Sequence, residues 1–142
     1  MNVTSTPIKV ERLRPPVGLS WWKRVTWVQL WMVLEPVRIE IGAGNHHHVI
    51  EVDAGLITDF ASIPKPLKWF FPDYIVYGTG AFAHDQLYKT GEVGKRVADG
   101  LLAWLLIEYD EACQVTAEIV FLGVHLFGFR AWNQHRKEDG KS

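Results

Sequence analysis

The segment AFAHDQLYKT, residues 81–90, places side chains capable of acid-base chemistry among small and apolar neighbours. On a helix, His84 and Tyr88 share one face because they are four residues apart, and Asp85 lies about 100° around from His84. A histidine titrates near neutral pH and is a natural general base for activating water. A carboxylate that points to a neighbouring place suits a divalent cation, which stabilises an oxyanion. The segment therefore predicts a base at His84 and a metal ligand at Asp85.

Two further carboxylates are candidates for the same site. A general base needs a group that orients its second ring nitrogen. Asp99 lies on the next predicted helix at the edge of an apolar stripe, where a buried charge requires a partner, and a bend at 90–94 would bring it against His84 or Tyr88. Asp59, in ITDFAS, follows a predicted strand and enters a loop. The predicted site residues are, for catalysis, His84, Asp99 and Tyr88 and, for the metal ion, Asp85 and Asp59.

The same residues have a non-catalytic interpretation. A His-Asp dipeptide on a helix also occurs where His84 is a core histidine and Asp85 is a capping or salt-bridge residue. In that case the carboxylates form a buried polar network that fixes packing, every partner is satisfied and no cleft is open. The catalytic interpretation requires a cleft, a reachable His84 and an open cation position.

Other histidines are weaker candidates. The stretch NHHHV, residues 45–49, places His46 and His48 on one face of a strand, which is the spacing of a metal pair, but an exposed hairpin tip is the preferred interpretation. His125 lies in an apolar predicted helix and is interpreted as a satisfied buried histidine. The polar segment NQHRKEDGK is interpreted as a solvated tail.

The elements that must position these residues form an α+β chain. Segments rich in β-branched and aromatic residues predict a small antiparallel sheet over about 26–58, with a hairpin turn at GAGN, 42–45. A short helix capped by Ser62 is expected in the loop that follows. Glycines on both sides bound a predicted helix at about 79–90, and apolar periodicity predicts two more at about 95–109 and 112–134. We expect a single domain over 1–142, with an irregular N-terminus at 1–20 and a polar tail at 134–142.

Composition narrows the function. The net charge is −1, which excludes the basic footprint of a nucleic-acid-binding protein. A lone cysteine excludes a disulfide or cysteine-zinc site within one chain. The polar N-terminus does not predict a signal peptide, and the apolar run at 119–129 is shorter than the roughly 20 residues of a membrane span. Seven tryptophans fit either a small core or a surface that meets a partner or membrane.

Four segments together resemble a family found in tailed-phage and prophage genomes. They are DAGLITDFASIP (53–64), HDQLY (84–88), ADGLLAWLL (98–106) and LFGFRAW (126–132). That family is an uncharacterised domain recognised by a T-D-F/L-A-S-V/I-P segment, an H-D-x-L-Y segment and a later A-D, and the resemblance covers roughly 26–132. It implies a phage or prophage origin and supplies no activity.

The His-Asp-x-x-Tyr pattern followed by a helix with an Asp is also similar to the catalytic helices of phospholipases A2. This resemblance implies that His84 is the base, Asp85 a calcium ligand, and Tyr88 with Asp99 the pair that orients the base. The chain departs from that family because no Gly-rich calcium loop stands at the expected place and no cysteines flank the histidine. A second metal carboxylate would have to come from elsewhere, and Asp59 is the candidate.

Three functions follow as expectations. The first is a phage hydrolase that acts on an envelope component, phospholipid or peptidoglycan, with a divalent cation; calcium is favoured, and magnesium or zinc are alternatives. The second is a virion protein of the tail or tail tip without chemistry, and the third is an inhibitor of a host enzyme or defence system. The expected partners are other phage proteins and a membrane or envelope surface, and not nucleic acid. The expected location is the host cytoplasm, with association to the virion as an option.

Overall fold

The structure is a computed structural model that describes residues 2–25, 30–58 and 78–140. It confirms an α+β chain, with antiparallel strands in the N-terminal part and helices after them. The described strands are β1 (Asn2–Ser5), β2 (Val10–Leu13), β3 (Leu30–Val33), β4 (Val37–Ala43), β5 (His46–Val52) and β6 (Ile57–Thr58). A short helix, α1 (Trp21–Val25), lies between β2 and β3.

The described strands form two sheets, in the orders β1-β4-β5 and β2-β3-β6. The predicted hairpin is confirmed: β4 and β5 pair antiparallel across a turn at 44–45, and Gly44 has a φ of 59°, which favours glycine. Ile39 lies opposite Ile50, and both are buried, while Arg38 on the alternate face is exposed. The period-2 pattern therefore places one face of the hairpin in the core.

The predicted irregular N-terminus at 1–20 is wrong, because β1 and β2 lie within it. β1 pairs with β4 and β2 pairs with β3, both antiparallel. These short strands lack a clear apolar alternation, and their backbone hydrogen bonds to distant strands stabilise them instead. The predicted helix that begins at Ser62 lies outside the described residues, as do 26–29 at the start of the predicted sheet.

The described helices after the sheets are α2 (Thr79–Thr90), α3 (Lys95–Glu108), α4 (Gln114–Phe127) and α5 (Phe129–Glu138). The first two match the prediction. The single helix predicted at 112–134 is wrong, because the chain bends by 54° between α4 and α5. A Cβ at Gly128 would lie 2.6 Å from the Tyr88 hydroxyl, so glycine permits the close approach of this bend to α2. The polar tail begins later than 134, since α5 continues to Glu138.

α2 is the central helix of the core. Its Phe82 and Leu87 are fully buried, together with Ile39 and Ile50 of the hairpin and Leu105 of α3. α2 packs against β5, α3 and α5, so its polar residues lie between one sheet and two other helices. Within the described residues no single helix is long and apolar enough to cross a membrane. The bent pair of α4 and α5 has the necessary length and apolar composition only when the two helices are taken together.

Candidate functional site

Both ends of α2 are held by hydrogen bonds. The carboxylate of Asp110 accepts the backbone N–H groups of Thr79 at 2.9 Å and Gly80 at 2.8 Å, so a distant side chain caps the first turn. Burial raises the pKa of Asp110, and these backbone hydrogen bonds act in the opposite direction. At the other end, the N–H of Gly91 donates to the carbonyl of Leu87 at 2.8 Å. The helix that carries the predicted base is therefore fixed at both termini.

The carboxylate of Asp99 lies at the centre of the site and is fully buried. His84 Nε2 lies 3.0 Å from its Oδ1, and the Tyr88 hydroxyl donates to the same oxygen at 2.6 Å. The rings of His84 and Tyr88 pack together with centroids 4.1 Å apart. The structure thus brings three of the sequence-predicted residues into contact in the arrangement proposed for a base and its orienting pair.

The second oxygen of Asp99 faces two more donors. Lys95 Nζ lies 2.7 Å from Oδ2, and His125 Nδ1 lies 3.3 Å from it. Lys95 also donates to the carbonyls of Val124 at 3.0 Å and His125 at 3.1 Å, near the end of α4. Among the described residues, four side chains therefore contact one buried carboxylate, and they come from three helices.

These contacts set the protonation states. Burial alone would raise the pKa of Asp99, but hydrogen bonds from His84, Lys95 and Tyr88 hold it well below its usual range. Burial and the neighbouring Asp99 raise the pKa of Tyr88 above its usual value of 10, so its hydroxyl keeps its proton. Because Asp99 is ionised, it only accepts, and His84 Nε2 must carry the proton in this contact. The lone pair of a neutral His84 is then on Nδ1.

Asp85 lies on the Nδ1 side of the histidine. Its Oδ1 is 3.7 Å from His84 Nδ1, which is too long for a direct hydrogen bond, and its Oδ2 accepts from the hydroxyl of Thr58 in β6. Burial lowers the pKa of His84, but Asp85 and Asp99 outweigh it, so the pKa is raised above 6.5. The raised pKa makes His84 a stronger base, with a smaller neutral fraction at pH 7.

A cavity of about 310 Å³ opens beside Asp85 and Tyr88. Its described lining is apolar on the side of Leu30, Leu56 and Ile57, and polar where α2 and α5 meet it. His84 is only 3% exposed and is not among the described lining residues. A cavity is therefore present next to Asp85, but His84 is not exposed to it, so the catalytic interpretation's requirement of a reachable His84 is not met among the described residues.

The described residues do not test the metal prediction. Asp85 lies at the cavity, whereas Asp59 lies outside the described residues. The described ranges contain no group of three or more His, Cys, Asp or Glu side chains arranged to hold a metal ion. His46 and His48 are exposed near the hairpin turn, as the hairpin-tip interpretation expects. The cation at Asp85 and Asp59 stays a prediction.

Three residues of the site were not predicted from the sequence. Lys95 stands four residues before Asp99 on α3, and this helical spacing is a signal that could have identified it. His125 is half-buried and contacts Asp99, so it takes part in the central network. Thr58 stands directly before the predicted Asp59, but no sequence pattern indicates its contact with Asp85.

The interpretation of the C-terminal segment as a solvated tail is wrong for Arg136. Its guanidinium donates to the carbonyls of Tyr88 at 2.8 Å, Lys89 at 2.8 Å and Thr90 at 3.3 Å, which are the last carbonyls of α2. It also stacks on Trp132, 4.8 Å from the ring centroid. Arg136 therefore joins α5 to the end of the helix that carries His84.

Comparison with known proteins identifies a family and no activity. No curated protein and no solved structure matches the chain significantly. Residues 31–124 match the model of a family described as a protein of unknown function, DUF1353. This range begins within β3 and includes β4 to β6 and the helices that carry His84, Asp99 and Lys95. The chain belongs to the DUF1353 family.

Proposed function

We propose that the chain is a small hydrolase of phage or prophage origin that acts on an envelope component, phospholipid or peptidoglycan. The observation that carries the proposal is the contact of His84 Nε2 with the buried Asp99, which also accepts from Tyr88. This contact selects one tautomer of the imidazole and directs its lone pair to the Asp85 side. A general base requires an oriented imidazole, which this contact supplies, and access of water to Nδ1 from the cavity beside Asp85.

In the proposed reaction, His84 Nδ1 takes a proton from a water molecule, and the water oxygen attacks the carbonyl carbon or phosphorus of the substrate. The bond to the leaving oxygen or nitrogen then breaks, and the imidazolium returns its proton to that atom. Asp99 remains ionised throughout because its pKa is held low, and it stabilises the positive charge on His84 during the reaction. Lys95 balances the Asp99 charge in the resting protein.

A divalent cation at Asp85, with calcium favoured, is part of the proposal. When bound, such an ion would polarise the substrate oxygen and stabilise the developing negative charge. The described residues offer the Asp85 carboxylate and the Thr58 hydroxyl at this place, and hard cations prefer such oxygen ligands. The proton transfers assigned to His84 do not depend on the ion.

A second candidate is a virion protein of the tail or tail tip, in which the same network is structural. Two observations favour it. The Asp99 carboxylate has donors on both oxygens, as a packing network requires. Large apolar side chains are also exposed along α4 and at the start of α5, which is typical of a surface that meets another subunit; they are Val115, Leu122, Leu126, Phe127 and Phe129.

The test compares the wild-type protein with His84→Gln on phospholipid vesicles and on purified peptidoglycan, with and without added calcium. We expect hydrolysis by the wild type, and a loss of about 10²–10⁴-fold in His84→Gln, which cannot act as a base. The matched control is His46→Gln, because His46 is exposed on the hairpin. Equal rates in folded wild type and His84→Gln would refute the catalytic role and favour the structural candidate.

Calorimetry with calcium, magnesium, manganese and zinc tests the cation separately. We expect one of these ions to bind the wild type, and Asp85→Asn to abolish binding while His84→Gln retains it. Asp53→Asn is the control, since Asp53 is an exposed carboxylate that contacts α2 through Gln86 and Lys89. Binding that survives Asp85→Asn would remove the cation from the proposed site.

A further inference from the structure

Two cavities adjoin along the side of α2 and form one groove. The cavity of about 310 Å³ beside Asp85 and a second cavity of about 330 Å³ share four described lining residues, which are Leu56, Ile57, Lys89 and His135. The first cavity reaches Thr58 and Asp85, and the second reaches Glu138 and Asp139. The groove therefore runs from the proposed reaction centre, between β6 and α5, to the protein surface.

One wall of this groove is apolar. Leu30 and Leu56 line it from the sheet side, and Ile57 of β6 remains 54% exposed there. Removal of this apolar surface from water is favourable, so the wall favours binding of a ligand whose apolar part covers it. The wall is continuous with the cavity beside Asp85, where Ala131 of α5 adds another apolar contact.

The polar side chains along the groove favour an anionic group at its middle and disfavour one at its ends. Lys89 and His135 line both cavities, from α2 and α5 respectively. Acidic side chains lie at the two ends, with Asp85 at the inner end and Glu138 with Asp139 at the outer end. A negatively charged group is therefore repelled from both ends and attracted to the middle.

The present contacts of Lys89 and His135 are exchangeable. Lys89 Nζ lies 3.2 Å from Asp53 Oδ2, in a pair whose side chains are both about half exposed, and His135 Nδ1 lies 3.7 Å from Glu138 Oε2. Ion pairs this exposed contribute little to stability, so a ligand with a higher charge density can replace the carboxylates. The groove thus offers the ammonium of Lys89 and a ring nitrogen of His135 to an anionic ligand without disruption of the fold.

We infer that this groove binds an elongated amphipathic anion, with its phosphate or carboxylate group between Lys89 and His135 and its apolar chain on Leu30, Leu56 and Ile57. The inference rests on the proposed function, because it names the substrate class of the same site. The bond that is cleaved lies on the Asp85 side of the anionic group, where the lone pair of His84 is directed.

The first test is calorimetry of His84→Gln, which cannot turn over, with octyl phosphate below its micellar concentration. Octyl glucoside supplies the same chain without charge, and inorganic phosphate supplies the charge without a chain. We expect octyl phosphate to bind at least about tenfold more tightly than either comparator, because each lacks one of the two contacts, and tenfold corresponds to about 1.4 kcal/mol. Equal affinity for octyl phosphate and inorganic phosphate, or no binding of octyl phosphate, overturns the inference.

Substitutions then locate the bound anion. Lys89→Gln should weaken octyl phosphate binding by about five- to tenfold, the size of one solvent-accessible charged hydrogen bond. Lys137→Gln is the matched control, because Lys137 is exposed on α5 and is not among the described residues of the groove. Asp53→Asn should tighten binding, since it releases Lys89 from its carboxylate partner. Equal affinities in Lys89→Gln and Lys137→Gln, or weaker binding in Asp53→Asn, would contradict this placement.

The experiments distinguish a failure of the proposed groove ligand from a failure of the proposed hydrolase activity. Lys89-dependent binding of octyl phosphate without His84-dependent hydrolysis of any ester or amide would retain the groove and remove the hydrolase. His84-dependent hydrolysis of an anionic amphiphile with the same KM in wild type and Lys89→Gln would retain the hydrolase and remove the groove as its substrate site.

Discussion

The ammonium of Lys95 and the carboxylate of Asp99 form an ion pair at 2.7 Å in which neither side chain is more than 7% exposed. The pair spans one turn of α3, and Lys95 also binds two carbonyls near the end of α4. A charge buried this deeply is tolerated because its partner and its hydrogen bonds are supplied by the fold. The ionised carboxylate of Asp99, whose charge is balanced by Lys95, can then accept hydrogen bonds from His84 and Tyr88 without becoming protonated.

Replacement of Lys95 by methionine should lower the free energy of unfolding by about 3–5 kcal/mol, because it leaves the Asp99 charge buried without its cation. Urea unfolding followed by tryptophan fluorescence measures this change. Lys137→Met, at an exposed position, provides the control and should shift the free energy by less than about 0.5 kcal/mol. A similar small shift in both variants would show that Lys95 does not compensate Asp99.

The raised pKa of His84 predicts a pH-dependent stability. A group whose pKa is higher in the folded protein stabilises it fully below its unfolded value of 6.5, and this contribution disappears as the pH rises through the folded value. The difference in unfolding free energy between wild type and His84→Gln should therefore be largest below pH 6.5 and decrease above it. A difference that grows with pH would show that the pKa is lowered instead.

Proton binding and catalysis should respond to pH in opposite directions. The proposed reaction needs neutral His84, so hydrolysis should increase over the same pH range in which the stabilisation by protonated His84 is lost. The pH dependence of kcat/KM for the wild type measures this effect. A rate that falls as His84 loses its proton would require an acid at this position and contradict its assignment as the base.

Asp85 contributes to the raised pKa of His84, so Asp85→Asn should move that pKa down. Asparagine retains an oxygen that accepts the Thr58 hydroxyl, which makes the substitution conservative in shape. NMR titration of the histidine ring nitrogens measures the pKa without any substrate. Asp53→Asn serves as the control and should leave the pKa of His84 unchanged, whereas an unchanged value in Asp85→Asn would remove Asp85 as a cause.

Arg136 should stabilise the end of α2 through the three carbonyls it binds. Arg136→Gln is expected to lower the free energy of unfolding by about 1–3 kcal/mol and to accelerate amide hydrogen exchange in the last turn of α2. Arg130→Gln removes the same charge from an exposed position of α5 and should change neither quantity. Equal exchange rates in the two variants would show that Arg136 does not hold this helix end.

Local patterns in the sequence determined much of this architecture. Period-2 alternation and a glycine turn predicted the β4–β5 hairpin, flanking glycines bounded α2 and an apolar stripe predicted α3, because these signals depend on neighbours within a few residues. Asp99 was a candidate partner of His84 or Tyr88, since a carboxylate beside an apolar stripe must find a partner, and the structure shows that it contacts both. The edge strands β1 and β2 were missed because their partners are distant.

Only the tertiary structure decided which distant side chains complete the site. His125 meets Asp99 across 26 residues, and Arg136 meets the carbonyl of Tyr88 across 48, so both contacts depend on how the last two helices pack. The bend at Gly128 accompanies that packing, and glycine leaves room there for the Tyr88 hydroxyl, a contact between distant residues that no local sequence pattern indicates. Helix periodicity determines which residues share a face, but the packing angles between helices determine which faces meet.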